Sequence, residues 1–371
     1  MNIPDGTRDV LPAEWAWRAS LRRTLQAELS AWGYQGVEVP SLELQDPQHP
    51  LDSRAFKLVD RGGEVLALRS EFTTAVLRLV RSRFAGLPYP IRLQYAGPLW
   101  LRRLTGDIEP GRLREYSQVG AELVGVSDAR ADAELVTVAR SALLAAGLRA
   151  QFELGHPGFV DAVLEDAGVQ GEAREALHAA IDRKSPADLR ARLGTLGAPA
   201  EVARSLEALI ELYGPAGEVL PEAARLPLGP LARAQLARLT AVVERLADPA
   251  IGLDLGMSRR YTYYSGVTFR AYAPGVNLPI LGGGRYEAGL PGAGFALGLE
   301  RLTRALGGLP PQPGETVLAL DPVSARWAQA QGLTAELAWT DDPQALADYA
   351  RTRGITRIAR GERFEPLAVE A

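Results

Sequence analysis

The order in which strand-like and helix-like patterns follow one another constrains this chain more than any other feature. Strand chemistry marks residues 64–68, 91–96, 114–124, 261–272 and 295–299. Between the third and fourth of these lies a block of Ala, Leu, Arg and Glu, from about Gly171 to Leu246, with apolar residues at i, i+3 and i+4. Pro186, Pro199, Pro215 and Pro221 cut that block into separate helices. The pattern predicts an antiparallel sheet with flanking helices that is interrupted by an all-helical insertion and then resumed. One further helix is predicted over Glu14 to Trp32, from Trp15, Leu21, Leu25, Leu29 and Trp32, with Gly33 ending it.

"LGGLPPQPG" (306–314) packs Pro and Gly into a stretch without period and reads as a linker. The tail beyond it alternates strand, helix, strand, helix, strand, the pattern of a small α/β unit. The expected organisation is a main domain over residues 1–307 with its insertion at about 168–248, a linker at 308–314 and a C-terminal domain at 315–371. No apolar run of eighteen residues occurs, and the start "MNIPDGTRDVLP" is unlike a secretory signal, so a cytoplasmic, non-membrane protein is expected. With no cysteine, disulfides and thiolate chemistry are excluded; His49, His156 and His178 lack zinc-like spacing, so no metal is expected. A net charge of -4 gives no support to nucleic-acid binding.

In "EYSQVGAELVG", alternation places Gln118, Gly120 and Glu122 on one strand face and Val119, Ala121 and Leu123 on the other. Amide and carboxylate, roughly 13 Å apart along the strand, address opposite ends of an amino-acid-sized ligand, with Gly120 leaving room for its body. A solvated sheet face explains the same pattern about as well. In "LRSEFTT", Ser70 is a candidate helix cap, and Glu71 with Thr73 sits in a first turn where an acid complements the helix dipole without any ligand. "RRYTYYSGVTF" is a tyrosine-rich strand, and "LGGGRYEAGL" allows close backbone approach.

Taken in order, these segments resemble the catalytic domain of histidyl-tRNA synthetase, a class II aminoacyl-tRNA synthetase, across about residues 3–305. The resemblance rests on "GTRDVLP", on "GYQGVEVPSLE" (motif 1), on "LRSEFTTAVLR" and on "GRLREYSQVGAELVG" (motif 2). It continues through "RRYTYYSGVTF", "GGGRYE" and "GFALGLERL" (motif 3). It implies an α+β, class II synthetase-like fold. It also implies that Glu71, Thr73 and Gln118 receive the α-amino group of histidine and that Glu122 and Tyr264 hold the imidazole. Tyr286 would line the same pocket, and Arg259, beside the Tyr263-Tyr264 pair, would face the carboxylate.

The nucleotide half departs from that family. Motif 2 of the synthetases carries an arginine and a glutamate where "GPLWLRR" has Leu101 and Arg103. Leucine cannot stabilise charge at a reacting phosphate, a loss worth about two to three powers of ten in rate. Arg102 or Arg103, shifted in register, is the alternative supply of charge, and Arg112 and Arg301 are residual nucleotide or anion candidates. The family's "RGLDYY" stands here as "RRYTYY", with Arg260 and Thr262 exchanged in, and the tail is too short for an anticodon-binding domain, so no tRNA is expected.

A chain that keeps the histidine pocket and loses adenylation resembles the regulatory subunits of ATP phosphoribosyltransferase. The resemblance implies no catalysis and no cofactor. It implies a short-form catalytic subunit as partner, histidine as feedback effector and a homodimeric core within a hetero-oligomer. A truncated histidine-activating ligase and a plain histidine-binding scaffold are the alternatives.

Overall fold

The computed structural model describes residues 2–102, 113–257, 264–308 and 314–366, and the chain divides into two compact units, residues 1–309 and 310–371. The first unit begins with helix α1 (Pro12–Ala31), which turns Leu21, Leu25 and Leu29 into the core. Each such leucine contributes about 1.5–3 kcal/mol relative to exposure. Trp15 and Trp32, expected on the same stripe, are 65% and 41% exposed, so the buried face is narrower than the apolar spacing suggested. The helix ends at Gly33, whose φ of +84° belongs to the left-handed region.

After β1 (Gln35–Gly36), the strands β2 (Leu42–Leu44), β3 (Lys57–Val59) and β4 (Val65–Leu68) form a small antiparallel sheet of their own. The strand expected at 64–68 therefore lies outside the main sheet. Helix α2 (Thr73–Arg83) follows, then the long hairpin β5 (Ile91–Trp100) and β6 (Glu115–Val124), helix α3 (Ala129–Ala145), β7 (Gln151–Gly155) and α4 (Pro157–Asp166).

The insertion comprises α5 (Gly171–Asp182), α6 (Pro186–Leu196), α7 (Ala200–Glu211), α8 (Ala216–Ala223) and α9 (Pro230–Leu246). Prolines open α6 and α9, where their missing N–H has no helical partner to lose. It is not purely helical, because β8 (Tyr213–Pro215) pairs with β9 (Gly252–Asp254) at the edge of the main sheet. Strand chemistry then resumes in β10 (Tyr264–Tyr272), β11 (Leu281–Glu287) and β12 (Pro291–Gly298), and α10 (Leu299–Ala305) closes the unit.

The main sheet runs β1-β5-β6-β12-β11-β10-β7-β9-β8. It is mixed rather than purely antiparallel, since β1 joins β5 and β7 joins β9 in parallel. One face carries Val119, Ala121, Leu123, Phe269, Phe295 and Leu297 into the largest core cluster, shared with α1, α3 and α4. The period of two that sends these residues to the core sends Gln118, Glu122, Tyr286 and Thr268 to the opposite face.

In the second unit, β13 (Thr316–Ala319), α11 (Pro322–Ala330), β14 (Thr334–Leu337), α12 (Pro343–Arg353) and β15 (Arg357–Arg360) follow the expected alternation. An unexpected last strand, β16 (Arg363–Pro366), pairs antiparallel with β15.

Candidate functional site

A cavity of about 330 Å³ opens on the sheet face away from the main core. That volume suits a small metabolite. Glu71, Thr73, Gln118, Glu122, Tyr264 and Tyr286 all line it, so six of the expected residues converge although they span four separate segments. Arg259 and Tyr263, like Arg112 and Arg103, lie outside the described residues.

Glu122 is the centre of the site. It is 1% exposed, with Thr73 Oγ1 donating to its Oε1 at 2.8 Å and Tyr286 Oη donating to its Oε2 at 2.8 Å. Tyr95 contributes a further hydroxyl bond. Burial nevertheless dominates and pushes the Glu122 carboxyl up to about 7, with Glu71 adding like-charge repulsion against the relief given by the three hydroxyls.

The glycines around it are explained by this crowding. A Cβ on Gly294, opposite Glu122 on β12, would stand 2.0 Å from Glu122 Oε2. A Cβ on Gly120 would stand 2.4 Å from Tyr95 Oη. The space above Gly120 is thus taken by the Tyr95 phenol, which corrects the expectation that a ligand's body would fill it.

Tyr95 is held in turn by a ring stack with Phe72 at 4.2 Å, and the Arg69 guanidinium lies 4.0 Å over Phe72. Arg69 donates to the carbonyls of Val39, Pro40 and Pro98, which ties the segment after β1 to the pocket wall.

Ser70 does not cap α2; the N-cap is Phe72 and no side chain caps it. Glu71 does part of that work instead, its Oε1 accepting the Thr74 N–H at 2.9 Å and facing His49 Nε2 at 3.3 Å. Burial disfavours its charge, but the bonds from His49 and Thr74 outweigh it and hold Glu71 below the ordinary carboxylate range. Glu71 precedes the N-cap rather than sitting in the first turn of α2, where no acid stands; it serves the helix end through the Thr74 N–H and lines the cavity as well.

The cavity is also lined by Leu101, Arg54, Arg270, Arg301 and Arg304. Leu101 is buried, 9% exposed, while Arg102 is exposed and does not line the cavity. Arg301 donates to the Pro279 carbonyl at 2.8 Å. Its neighbour Glu300 accepts the Ser117 N–H at 3.0 Å and pairs with Arg18, which fixes the start of β6 beside Gln118.

Sequence reasoning missed a buried support behind the pocket. Asp132 on α3, 4% exposed, accepts from Arg285 Nε at 2.7 Å and from Arg238 Nη2 at 2.7 Å. Arg285 precedes Tyr286 on β11 and belongs to the opposite sheet face, whereas Arg238 comes from α9 of the insertion. A lone arginine alternating with a pocket tyrosine was the available signal, because a charge on a core face demands a buried acid.

Among the described residues no group of three or more His, Asp or Glu is arranged to hold a metal, and no helix is long and apolar enough to cross a membrane.

A family profile described as histidyl-tRNA synthetase matches residues 6–302. A protein of Deinococcus radiodurans named ATP phosphoribosyltransferase regulatory subunit is 55% identical over 97% of this chain and 89% of its own length. The chain belongs to the family of ATP phosphoribosyltransferase regulatory subunits. A family member of Thermus thermophilus is 48% identical, over 97% of this chain and 98% of its own. The likeness extends to three dimensions. A crystal structure from Bacillus halodurans, titled as an ATP phosphoribosyltransferase regulatory subunit/histidyl-tRNA synthetase, superposes with a TM-score of 0.82 at 27% identity, covering 94% of this chain and 96% of that one. The family thus joins a synthetase-like fold to a regulatory name, which matches the expected α+β architecture.

Proposed function

We propose that the chain is the non-catalytic regulatory subunit of a short-form ATP phosphoribosyltransferase, which opens histidine biosynthesis, and that its cavity binds free histidine as the feedback effector. The observation that supports this reading best is the convergence of Glu71, Thr73, Gln118, Glu122, Tyr264 and Tyr286 in one cavity whose wall also carries Leu101. Glu122 has hydroxyls on both oxygens and Gly294 against it, while Leu101 holds the position at which motif 2 of the synthetases it resembles carries an arginine.

With three hydroxyl protons already directed at Glu122, one acceptor direction of the carboxylate remains for an imidazole N–H, and Tyr264 serves the other ring nitrogen. The Thr73 proton is committed to Glu122, so its oxygen lone pairs are left for the α-ammonium group, together with Glu71 and Gln118. Arg259 is assigned to the carboxylate, and Arg112 and Arg301 to residual anion contacts. An analogue lacking the ring nitrogens leaves Glu122 and Tyr264 without partners, which accounts for selectivity.

Regulation follows if histidine favours one of two arrangements of a hetero-oligomer built on a homodimeric core. The coupling is then reciprocal: catalytic-side ligands alter histidine affinity by the same factor.

Two measurements test this. Purified chain with ATP and histidine is expected to show no pyrophosphate exchange; exchange at a ligase-like rate overturns the proposal in favour of a histidine-activating enzyme. Mixing with a short catalytic subunit is expected to give histidine-sensitive phosphoribosyl transfer. Histidine binding without any effect on the transferase leaves only a binding scaffold.

A further inference from the structure

His49 lies in the loop between β2 and β3 and is absent from the cavity wall, yet it touches Glu71, one of the residues assigned to the ligand's amino group. Its ring has a defined tautomer. Nδ1 accepts the Leu51 N–H at 3.1 Å, so in the neutral ring the proton resides on Nε2. Nε2 is 3.3 Å from both Glu71 Oε1 and Thr74 Oγ1, and Glu71 Oε1 also takes the Thr74 N–H. One carboxylate oxygen is therefore fixed from outside the pocket by the backbone of α2 and by His49.

We propose that His49 is a positioning residue of the pocket: as the neutral Nε2–H tautomer it presents Glu71 to a ligand's α-ammonium group, and a second proton on the ring weakens amino-acid binding. The inference rests on the reading of the cavity as an amino-acid site.

The second proton acts in two ways. On Nδ1 it sets an N–H against the Leu51 N–H, which removes the bond that orients the ring. It also places a positive charge against Glu71, where the ligand brings its own positive charge, and the two compete for one carboxylate.

The groups facing His49 are Glu71 ahead of α2, Glu43 of β2, and Asp46 and Asp52 of its own loop. Asp52 is paired with Lys57, and Glu43 also feels Arg69 and Arg78. The bond to Glu71 raises the ring above the usual 6.5 in spite of burial, with the nearby acids helping. Affinity is then complete above that raised value and falls as pH drops through it.

The test is calorimetric titration of the full chain with histidine between pH 5.5 and 8.5, for wild type, His49→Gln and His49→Leu. Glutamine keeps an N–H donor and does not titrate; leucine supplies none. At pH 8, H49Q is expected to bind within about threefold of wild type and H49L about tenfold or more weakly, the loss typical of a hydrogen bond to a charged group.

Below neutrality the wild-type dissociation constant is expected to rise faster than that of H49Q, the ratio growing toward about tenfold per pH unit if one proton is exchanged for the ligand. The ligand's own imidazole titration is common to both proteins and cancels in that ratio. Identical pH profiles for wild type and H49Q overturn the proposal, as does H49L binding like wild type at pH 8. Should H49L fail to fold, the H49Q ratio still decides. A wild-type chain that binds no histidine at any pH overturns the pocket reading, and this inference with it.

Discussion

Replacing Gly294 by alanine is expected to disable the pocket without removing any polar group. The added Cβ would lie 2.0 Å from Glu122 Oε2, 2.5 Å from its Cδ and 2.7 Å from the Ala121 carbonyl oxygen. The carbonyl belongs to β6 and is locked by the register in which Gly294 faces Glu122, so the side chain has to give way. Restoring an ordinary contact displaces Oε2 by more than about 1 Å, which carries the 2.8 Å bond from Tyr286 past the limit of about 3.5 Å.

Two costs then add: about 1–3 kcal/mol for overpacking and about 1–3 kcal/mol for a buried phenol left without its acceptor. The sum, about 2–6 kcal/mol, corresponds to a fall in Tm of roughly 5–15 °C. Histidine affinity should drop at least thirtyfold, about 2 kcal/mol. Differential scanning calorimetry and isothermal titration provide both numbers. Gly282→Ala is the matched control, since its Cβ meets nothing within 4 Å on the same sheet face; its stability should change by less than about 0.5 kcal/mol. If G294A melts like G282A and binds histidine like wild type, Glu122 does not lie against Gly294 and the account of the pocket fails.

The remaining predictions concern charge. Glu122 is raised from 4.5 to about 7 in the folded chain, so the native state holds a proton that the unfolded state has lost; stability attributable to this group falls as pH rises from about 4.5 to 7 and is flat above, a change of roughly 3 kcal/mol. Urea denaturation at pH 5 to 8 should show that slope in wild type minus Glu122→Gln, and its absence from the difference would refute the assignment. Burial depresses His156 to about 4, so its contribution is complete above 6.5 and lost as pH falls toward 4. The two slopes oppose one another between about 4.5 and 6.5, and the wild-type curve alone reads neither. Asp132→Asn leaves Arg285 and Arg238 without their shared acid and should cost about 3–5 kcal/mol by chemical denaturation; a loss below about 1 kcal/mol would mean that the junction is solvated.

The shared face of Gln118, Glu122 and Tyr286 was legible because it is written in strand alternation. Gln118, Glu122 and Tyr286 each sit two residues from a glycine on the same face, and a period of two fixes which side chains share a surface even when the strands are far apart in sequence. What alternation does not reveal is what fills the space over a glycine. Gly120 was compatible with a ligand's body, and only the packing of Phe72 and Arg69 brings the Tyr95 phenol over it. Trp15 and Trp32 show the same limit on a helix, where apolar spacing marks a stripe but the neighbouring elements decide how much of it is covered.

The partners of Glu71 and Arg285 were hidden for a different reason, although Arg285 itself signalled that a buried acid must exist. Each acts through a partner 22 or 153 positions away, His49 on Glu71 and Asp132 on Arg285, and no local period records such a pairing. The short strand β8 was hidden in the same way, because the Tyr213-Gly214-Pro215 segment becomes a strand only when β9 offers it an edge.

On the proposed reading, these long-range pairings explain how the pocket persists without adenylation. Glu122 is held by Thr73, Tyr286 and Tyr95, and those by α2, β11 and β5, none of which depends on the residue at 101. Leu101 is buried in the cavity wall, where an apolar side chain is as stable as a guanidinium that would have to find partners. The charge needed for nucleotide chemistry can therefore be lost at no cost to the scaffold, while loss of any hydroxyl around Glu122 leaves a buried acid less satisfied and penalises the fold itself. On the proposed reading the hydroxyl shell of Glu122 is retained partly by stability, and Tyr286→Phe should lower the melting temperature as well as histidine affinity, whereas Leu101→Ala should change affinity little.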